Sequence, residues 1–196
     1  DAEYTDADYH RCVDGKPRYD GVRSFLESRG ITLPEGTPDD PSDAETIGGL
    51  GNRKNDVFLQ VLHDEGVQAY PGSLRLVEAL TTAGVRRAIV SSSRNAPAVL
   101  EAAGITDQFE LIVHGGVAAE VGLAGKPAPD TYEYAADQLG VAHQKAVVLE
   151  DALSGVEAGA AGDFGLVVGV NRGAGADALR DHGADIVVDD LEELLP

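Results

Sequence analysis

The chain has 196 residues, of which 43% are hydrophobic, 5% aromatic and 25% charged, a composition close to that of ordinary globular domains. Its 34 acidic and 15 basic residues give a formal charge of −19, which repels nucleic-acid backbones and anionic membrane surfaces. The one cysteine, Cys12, excludes an internal disulfide and is compatible with a reducing compartment. We therefore expect a cytoplasmic globular protein that binds neither nucleic acid nor membrane.

The chain contains no methionine and begins with Asp1. Initiator methionine is normally removed only before a small residue, and aspartate is not one. We therefore expect the natural polypeptide to have a further segment upstream of Asp1.

The first part of the chain, residues 1–69, shows no pattern of a buried strand. Apolar residues recur at helical spacing in two stretches, 22–26 and 57–62. Between them, residues 34–45 are rich in proline, glycine and acidic residues, which is typical of a loop. We predict that residues 1–69 form a small all-α domain.

The rest of the chain, residues 70–196, alternates short apolar runs with helical patterns. The runs are apolar throughout rather than at every second position, which is typical of parallel strands covered by helices on both faces. Five such runs occur, at 86–91, 109–113, 145–150, 165–170 and 184–188. We predict an α/β fold whose Rossmann-like parallel sheet core occupies residues 70–196.

Ligands of open α/β sheets bind beyond the carboxyl ends of the strands, so polar residues that directly follow an apolar run are candidate site residues. The first group is Ser91, Ser92, Ser93, Arg94 and Asn95, after which a helix opens. Hydroxyls, a helix N-terminus and an arginine suit an anion. A polar turn with a helix cap is the alternative.

The second candidate is Lys126, which precedes two prolines that restrict the chain. A lysine held beside a bound phosphate would neutralise its charge, although this pattern alone favours an ordinary surface lysine.

The third candidate is the pair Glu150 and Asp151, which ends an apolar run. Adjacent carboxylates are costly to desolvate without a cation between them, and their hard oxygens suit Mg²⁺. Acidic capping of the next helix is the alternative. In that helix, Ser154 and Glu157 have the spacing of a capping box.

Taken together, three strings resemble motifs II, III and IV of the haloacid dehalogenase (HAD) superfamily, most closely its β-phosphoglucomutase-like members. These strings are VSSSRN (90–95), GKPAPD (125–130) and VLEDALSGVEAG (148–159). Three shorter strings also resemble the cap and hinge of that subgroup: GKPRYDGV (15–22), NRKND (52–56) and YPGS (70–73).

The resemblance implies an HAD-like core with an all-α cap, and an Mg²⁺-dependent phosphotransferase that acts on a small phosphorylated metabolite, a sugar phosphate. Ser91 would then hydrogen-bond the transferred phosphoryl group, and Lys126 would balance its charge. Glu150 and Asp151 would hold Mg²⁺. The residues implied in binding the rest of the substrate are Arg18, Lys54, Asn55, Ser93, Arg94 and Asn95.

One family feature has no counterpart in the chain. The first HAD motif is an apolar strand ending in Asp-x-Asp, which supplies the nucleophile. Asp6 and Asp8 have the spacing but no preceding strand, whereas Asp189 and Asp190 follow a strand but are adjacent. We expect the missing strand to lie upstream, and expect a slot between the strands that end at Ser91 and Glu150.

Two classes of function follow. The complete polypeptide would be a phosphomutase or a sugar-phosphate phosphatase that works through an aspartyl-phosphate, while these 196 residues alone would be inactive. The alternative is a sugar-phosphate-binding domain, or a module of a longer protein, that has lost its nucleophile.

Overall fold

A computed structural model describes residues 3–196. Within these residues the chain forms nine α-helices, five β-strands and three short 3-10 helices. The helices and strands, in chain order, are α1 (Asp6–Cys12), α2 (Arg18–Ser28), α3 (Ile47–Glu65), α4 (Pro71–Thr82), β1 (Ala88–Val90), α5 (Ala96–Ala102), β2 (Leu111–Val113), α6 (Gly115–Val121), α7 (Asp130–Leu139), β3 (Val147–Glu150), α8 (Leu153–Ala161), β4 (Leu166–Val170), α9 (Ala176–Asp181) and β5 (Ile186–Val188). The 3-10 helices are Thr106–Gln108, His143–Lys145 and Leu191–Leu194.

All described strand pairs are parallel, and the strands form two sheets. Strand β1 pairs with β2, while β3, β4 and β5 form a second sheet in that order. Each of the five apolar runs contains one of these strands. The predicted α/β fold with parallel sheets is therefore confirmed.

The expectation that β1 and β3 do not pair directly agrees with the described part of the chain, while the slot between them stays a prediction. These two strands belong to different sheets and are not hydrogen-bonded to each other. Val147 and Leu149 of β3 are 54% and 37% exposed, so one face of this strand is incompletely covered by residues 3–196.

The main hydrophobic core lies between the second sheet and the helices α7, α8 and α9. Val148 and Val167 of the sheet pack with Val156 of α8 and Leu179 of α9. Val156 and Leu179 are completely buried. This packing fixes the carboxyl ends of β3 and β4 relative to the helices that follow them.

The described residues before α4 contain helices but no strand. Asp8 of α1 accepts hydrogen bonds from Arg11 and from Arg29, which follows α2, at 2.9 and 2.6 Å. Thr46 caps the N-terminus of α3 by accepting from the Gly49 amide at 2.9 Å.

Of the helices that the structure describes, none combines the length and the apolar character needed to cross a membrane. A domain boundary at residues 69/70 stays a proposal.

The core position of Leu179 can be tested by mutation. Because this side chain is fully buried, Leu179→Ala should lower the free energy of unfolding by about 2 to 5 kcal/mol. Leu74→Ala is a matched control, since Leu74 is 40% exposed; it should cost about 1 kcal/mol or less. Urea unfolding followed by circular dichroism measures both. Equal losses would contradict the assignment of Leu179 to the core.

Candidate active site

Lys126 lies between the carboxyl ends of β1 and β3. Its ammonium group donates to the Val90 carbonyl at 3.3 Å and to Glu150 Oε2 at 2.6 Å. The nitrogen also lies 4.6 Å from the centre of the Tyr132 ring. Only 4% of the lysine side chain is exposed, so the alternative of an ordinary surface lysine is wrong. Lys126 therefore connects the two sheets at the edge where ligands bind in this class of fold.

Glu150 is held by three hydrogen bonds. Its Oε2 accepts from Lys126 and from the Tyr132 hydroxyl, the latter at 2.5 Å, and its Oε1 accepts from the Ala152 amide at 3.0 Å. Burial raises the pKa of Glu150, but the charge of Lys126 and these hydrogen bonds outweigh burial and lower the pKa below its ordinary value. Glu150 is therefore an ionised and firmly oriented carboxylate. The alternative of helix capping is wrong, because the amide that Glu150 binds belongs to Ala152, the N-cap residue of α8, and no side chain caps that helix.

Asp151 is less constrained than its neighbour. Its recorded partner is Arg172, whose Nη1 lies 3.6 Å from Asp151 Oδ2. Burial, followed by the charges of Glu150 and Asp14, raises the pKa of Asp151, and Arg172 opposes this effect. Arg172 itself lies over the Tyr70 ring at 3.9 Å. Asp151 thus retains lone pairs that can bind a cation, and a cation would relieve its repulsion by Glu150.

The acidic pair fits the chemistry of Mg²⁺. Within residues 3–196, no three or more Asp, Glu, His or Cys side chains form a group that could hold a metal ion. Mg²⁺ commonly takes only one or two carboxylates and completes its shell with water and phosphate oxygens. Asp151, with its freer oxygens, is the better placed ligand, and Glu150 is the second candidate.

The serine-rich turn after β1 is stabilised by hydrogen bonds from backbone amides of the turn to serine hydroxyl oxygens. The Ser91 amide donates to Val113 at 2.9 Å, which extends the pairing of β1 with β2. Ser91 Oγ accepts from the Ser93 amide at 3.2 Å, and Ser93 Oγ accepts from the Asn95 amide at 3.1 Å. Both hydroxyls act as acceptors in these bonds, so each O–H group can still donate to an anion. The polar turn is therefore present and is compatible with anion binding, but the helix cap of that alternative is wrong, because no side chain caps α5.

The loop formed by residues 14–17 packs onto this edge of the core. Ser92 Oγ donates to the Gly15 carbonyl at 2.7 Å, and Ser154 Oγ donates to the Asp14 carbonyl at 3.4 Å. Gly15 has a φ of 69°, and a Cβ there would lie 2.5 Å from Ser154 Oγ. Only glycine therefore allows this loop to approach so closely.

The predicted capping box at Ser154 and Glu157 is wrong. Helix α8 begins at Leu153 with Ala152 as its N-cap, and no side chain caps it. Ser154 lies inside the first turn, which places its hydroxyl against the Asp14 carbonyl instead.

Three of the predicted substrate-binding residues meet where the helices of residues 3–69 face the core. Arg18 Nη2 donates to Asn55 Oδ1 at 2.5 Å, and Asn95 Nδ2 donates to the same oxygen at 2.7 Å. Arg18 lies on α2, Asn55 on α3 and Asn95 directly before α5. The structure therefore brings a guanidinium group and an amide donor to one point from opposite sides.

Two predicted substrate-binding residues are not connected to this cluster. Lys54 and Arg94 are exposed. The stem of Arg94 lies beside Gly115, where a Cβ would be 3.4 Å from Arg94 Cγ. Their roles stay predictions.

The aspartates considered for the missing first motif have other contacts. Asp8 lies on α1 and pairs with Arg11 and Arg29. Asp190 caps the 3-10 helix that follows β5 by accepting from the Glu192 amide at 2.9 Å. Neither aspartate contacts Lys126 among the described hydrogen bonds and ion pairs.

Sequence reasoning missed Tyr132, Arg172 and Asn52. Tyr132 is a buried aromatic residue on a helix, which the sequence pattern cannot distinguish from an ordinary core residue. Arg172 does follow an apolar run, β4, so its position was a usable signal. Asn52 was part of the string NRKND, but its side-chain contacts depend on a loop that is distant in sequence.

Comparisons with known proteins show the family and the fold. A family model for haloacid dehalogenase-like hydrolases matches residues 4–163. A β-phosphoglucomutase of Mycobacterium bovis is 55% identical over 192 residues, which are 96% of this chain and 73% of that protein. A β-phosphoglucomutase structure from Clostridium difficile superposes with a TM-score of 0.77 at 23% identity, covering 97% of this chain and 78% of that chain. CbbY from Rhodobacter sphaeroides, in complex with xylulose-(1,5)bisphosphate, superposes with a TM-score of 0.75 at 23% identity, covering 100% and 82% of the two chains.

The chain belongs to the haloacid dehalogenase-like hydrolase family. The family model spans most of its length, and the mycobacterial relative is similar over nearly all of it. The resemblance inferred from the three strings is thereby confirmed, as is the HAD-like fold.

The contribution of Tyr132 can be tested by Tyr132→Phe. This change removes one hydrogen bond to a buried carboxylate and keeps the ring, so the free energy of unfolding should fall by about 1 to 3 kcal/mol. Tyr134→Phe, on the same helix, is the control, because none of the described hydrogen bonds involves the Tyr134 hydroxyl. Urea unfolding of both variants measures the difference. A Tyr132→Phe variant as stable as the control would show that Glu150 does not need this hydroxyl.

Proposed function

We propose that the chain is the larger part of an Mg²⁺-dependent phosphotransferase that acts on a sugar phosphate through an aspartyl-phosphate. The observation that carries this proposal is the buried Lys126 ammonium group, which lies between two strand ends and beside the acidic pair. A lysine in this position can balance the charge on a transferring phosphoryl group. The 55% identity to a β-phosphoglucomutase supports a sugar phosphate as the substrate class.

Each residue at the strand ends has a distinct role in this proposal. The Ser91 O–H group donates to an oxygen of the phosphoryl group that is transferred. Lys126 neutralises part of the charge on the same group. Glu150, fixed by its three hydrogen bonds, keeps Lys126 in place, and Asp151 with Glu150 holds Mg²⁺. When bound, Mg²⁺ would stabilise negative charge on the phosphoryl oxygens.

The nucleophilic aspartate is proposed to come from a segment upstream of Asp1. The unpaired edges of β1 and β3 leave room for a strand between them, and the carboxyl end of a parallel strand there would reach Lys126. Residues 1–196 without that segment would then be inactive.

The second end of the substrate would bind where Arg18, Asn55 and Asn95 meet. A guanidinium group and an amide can both donate to phosphate oxygens. Ser93, Arg94 and Lys54 are proposed to complete this part of the site. The CbbY neighbour holds a sugar bisphosphate, which is consistent with a site for two phosphates. We propose that this metabolite is bound in the cytoplasm, where the single Cys12 stays reduced.

Whether the enzyme is a mutase or a phosphatase depends on access of water to the aspartyl-phosphate. The loop of residues 14–17 contacts Ser92 and Ser154, next to the proposed phosphoryl and metal ligands. A loop held there would exclude water until a sugar hydroxyl attacks, which favours the mutase.

The function can be tested on a chain extended upstream to include an apolar strand that ends in Asp-x-Asp. With β-glucose 1-phosphate and a bisphosphate primer, we expect formation of glucose 6-phosphate with little free phosphate. The control is the same chain with the first aspartate of that strand replaced by asparagine. Phosphate release without isomerisation would leave a phosphatase as the function.

The alternative of a binding domain without catalysis is tested by the natural coding sequence and by calorimetry. If the natural coding sequence contains no such strand, and calorimetry shows that residues 1–196 bind sugar phosphates, the binding domain is the correct function.

The metal assignment can be tested on the 196-residue chain itself. Ligands that bind only the folded state raise the unfolding midpoint, so Mg²⁺ should increase the thermal midpoint of the wild-type chain. Asp151→Asn should weaken the apparent Mg²⁺ affinity about tenfold or more, because it removes the freer anionic ligand. The control is Asp177→Asn, whose carboxylate is 99% exposed on α9. An unchanged Mg²⁺ response in Asp151→Asn would contradict the assignment.

A further inference from the structure

The Asn52 side chain uses its complete hydrogen-bonding capacity. Its Oδ1 accepts from Arg18 Nη1 at 3.2 Å and from the Tyr19 hydroxyl at 3.0 Å. Its Nδ2 donates to the carbonyls of Pro38 and Asp40 at 3.0 and 2.8 Å. An amide has two acceptor and two donor positions, so this side chain is fully satisfied. The two donors on one side and the two carbonyls on the other also determine which way the amide points.

Asn52 and Asn55 hold the Arg18 guanidinium group with neutral oxygens. Its Nη1 donates to Asn52 and its Nη2 to Asn55, one turn further along α3. None of the described ion pairs joins Arg18 to a carboxylate. The guanidinium group is therefore oriented, and within the described residues no carboxylate neutralises its charge, although it lies 5.8 Å from the centre of the Tyr19 ring. Arg23, by contrast, pairs with Glu35 at 2.8 Å.

The backbone of α3 makes room for this arrangement. Gly51 is buried, and a Cβ there would lie 2.7 Å from Tyr19 Cδ1 and 3.3 Å from Arg18 Cδ. Without a side chain at Gly51, Arg18 and Tyr19 can lie flat against the helix. The loop at residues 38–40 then reaches Asn52 from the other side.

We propose that Asn52 is a positioning residue that holds Arg18 ready to bind the anionic end of the substrate furthest from the transferred phosphoryl group. This inference rests on the proposed function, in which Arg18 binds a phosphate. Asn52 acts through Arg18 and does not itself contact the ligand. Tyr19 shares the acceptor oxygen and keeps it between the two donors.

Two substitutions of Asn52 distinguish loss of the anchor of Arg18 from neutralisation of the Arg18 charge. Asn52→Ala removes the acceptor, so Arg18 loses one of its two anchors. Asn52→Asp keeps the shape and the acceptor but places a carboxylate against the guanidinium group and loses both donors to the loop. If Asn52 were merely structural, both variants would affect Arg18 alike. Gln60→Ala is the control, because Gln60 is an exposed amide on the same helix whose side chain, among the described hydrogen bonds, donates to Asp64.

The first measurement needs no ligand. NMR of nitrogen-labelled arginine reports how fast a guanidinium group rotates about its Nε–Cζ bond. We expect slow rotation of Arg18 in the wild-type chain, in Gln60→Ala and in Asn52→Asp, and rotation about tenfold faster in Asn52→Ala, since one anchor is lost. Equal rotation in Asn52→Ala and wild type would overturn the inference.

The second measurement is calorimetric binding of glucose 1,6-bisphosphate, with glucose 6-phosphate for comparison. We expect Asn52→Ala and Asn52→Asp each to weaken bisphosphate binding about tenfold, and to change it less than about twofold when Arg18 is already alanine, because coupled residues are not additive. Equal losses with and without Arg18 would overturn the inference. Thermal unfolding of each variant confirms that it is folded.

The two measurements distinguish failure of the inference from failure of the proposed function. A wild-type chain that binds neither sugar phosphate contradicts the proposed function. In that case, the rotation of Arg18 alone decides whether Asn52 holds it.

Discussion

The ion pair between Lys126 and Glu150 is the interaction on which the site depends. It joins the ends of two sheets that share no backbone hydrogen bond in the described residues. A buried pair of this kind contributes little net stability, but losing one partner leaves the other charge buried, at a cost of about 3 to 5 kcal/mol. Tyr132 and the Ala152 amide complete the hydrogen bonds of Glu150. The carboxylate is therefore fixed in orientation, and it holds the Lys126 ammonium group in place. The neighbouring Asp151 stays freer because Glu150 takes up these donors.

The helices of residues 3–69 contribute to the site mainly through backbone and amide groups. Two carbonyls of the loop 14–17 accept from serines of the core, while Asn55 accepts from Asn95. Such contacts are neutral and individually weak, about 0.5 to 1.5 kcal/mol each. An interface made of them can hold the two parts together without large energetic barriers to separation. The charged side chain of this region that is proposed to bind the ligand is Arg18.

The fold was predictable because each strand of the two sheets lies within a short apolar run of the sequence. Such runs are typical of parallel strands that are covered by helices. The site was predictable in part, since residues after a strand end meet at one edge whatever the loop details are. Burial of Lys126 could not be foreseen, because it depends on its ion pair with Glu150, which lies 24 residues further along the chain. Ser154 was misread for a related reason. A serine near a helix start resembles a cap, and only the approach of Gly15 shows that its hydroxyl is used elsewhere.

The shared acceptor at Asn55 has a consequence for ligand recognition. Arg18 and Asn95 both donate to this one oxygen. An incoming ligand oxygen that takes these donors exchanges one acceptor for another, so the number of hydrogen bonds hardly changes. The gain in free energy then comes from replacing a neutral oxygen by a charged one. The bond from Asn95 becomes charge-assisted, and the bond from Arg18, whose donor is already charged, becomes an ion pair. A neutral hydroxyl would gain almost nothing at this point, whereas a phosphate above its second pKa of about 6 would gain the most.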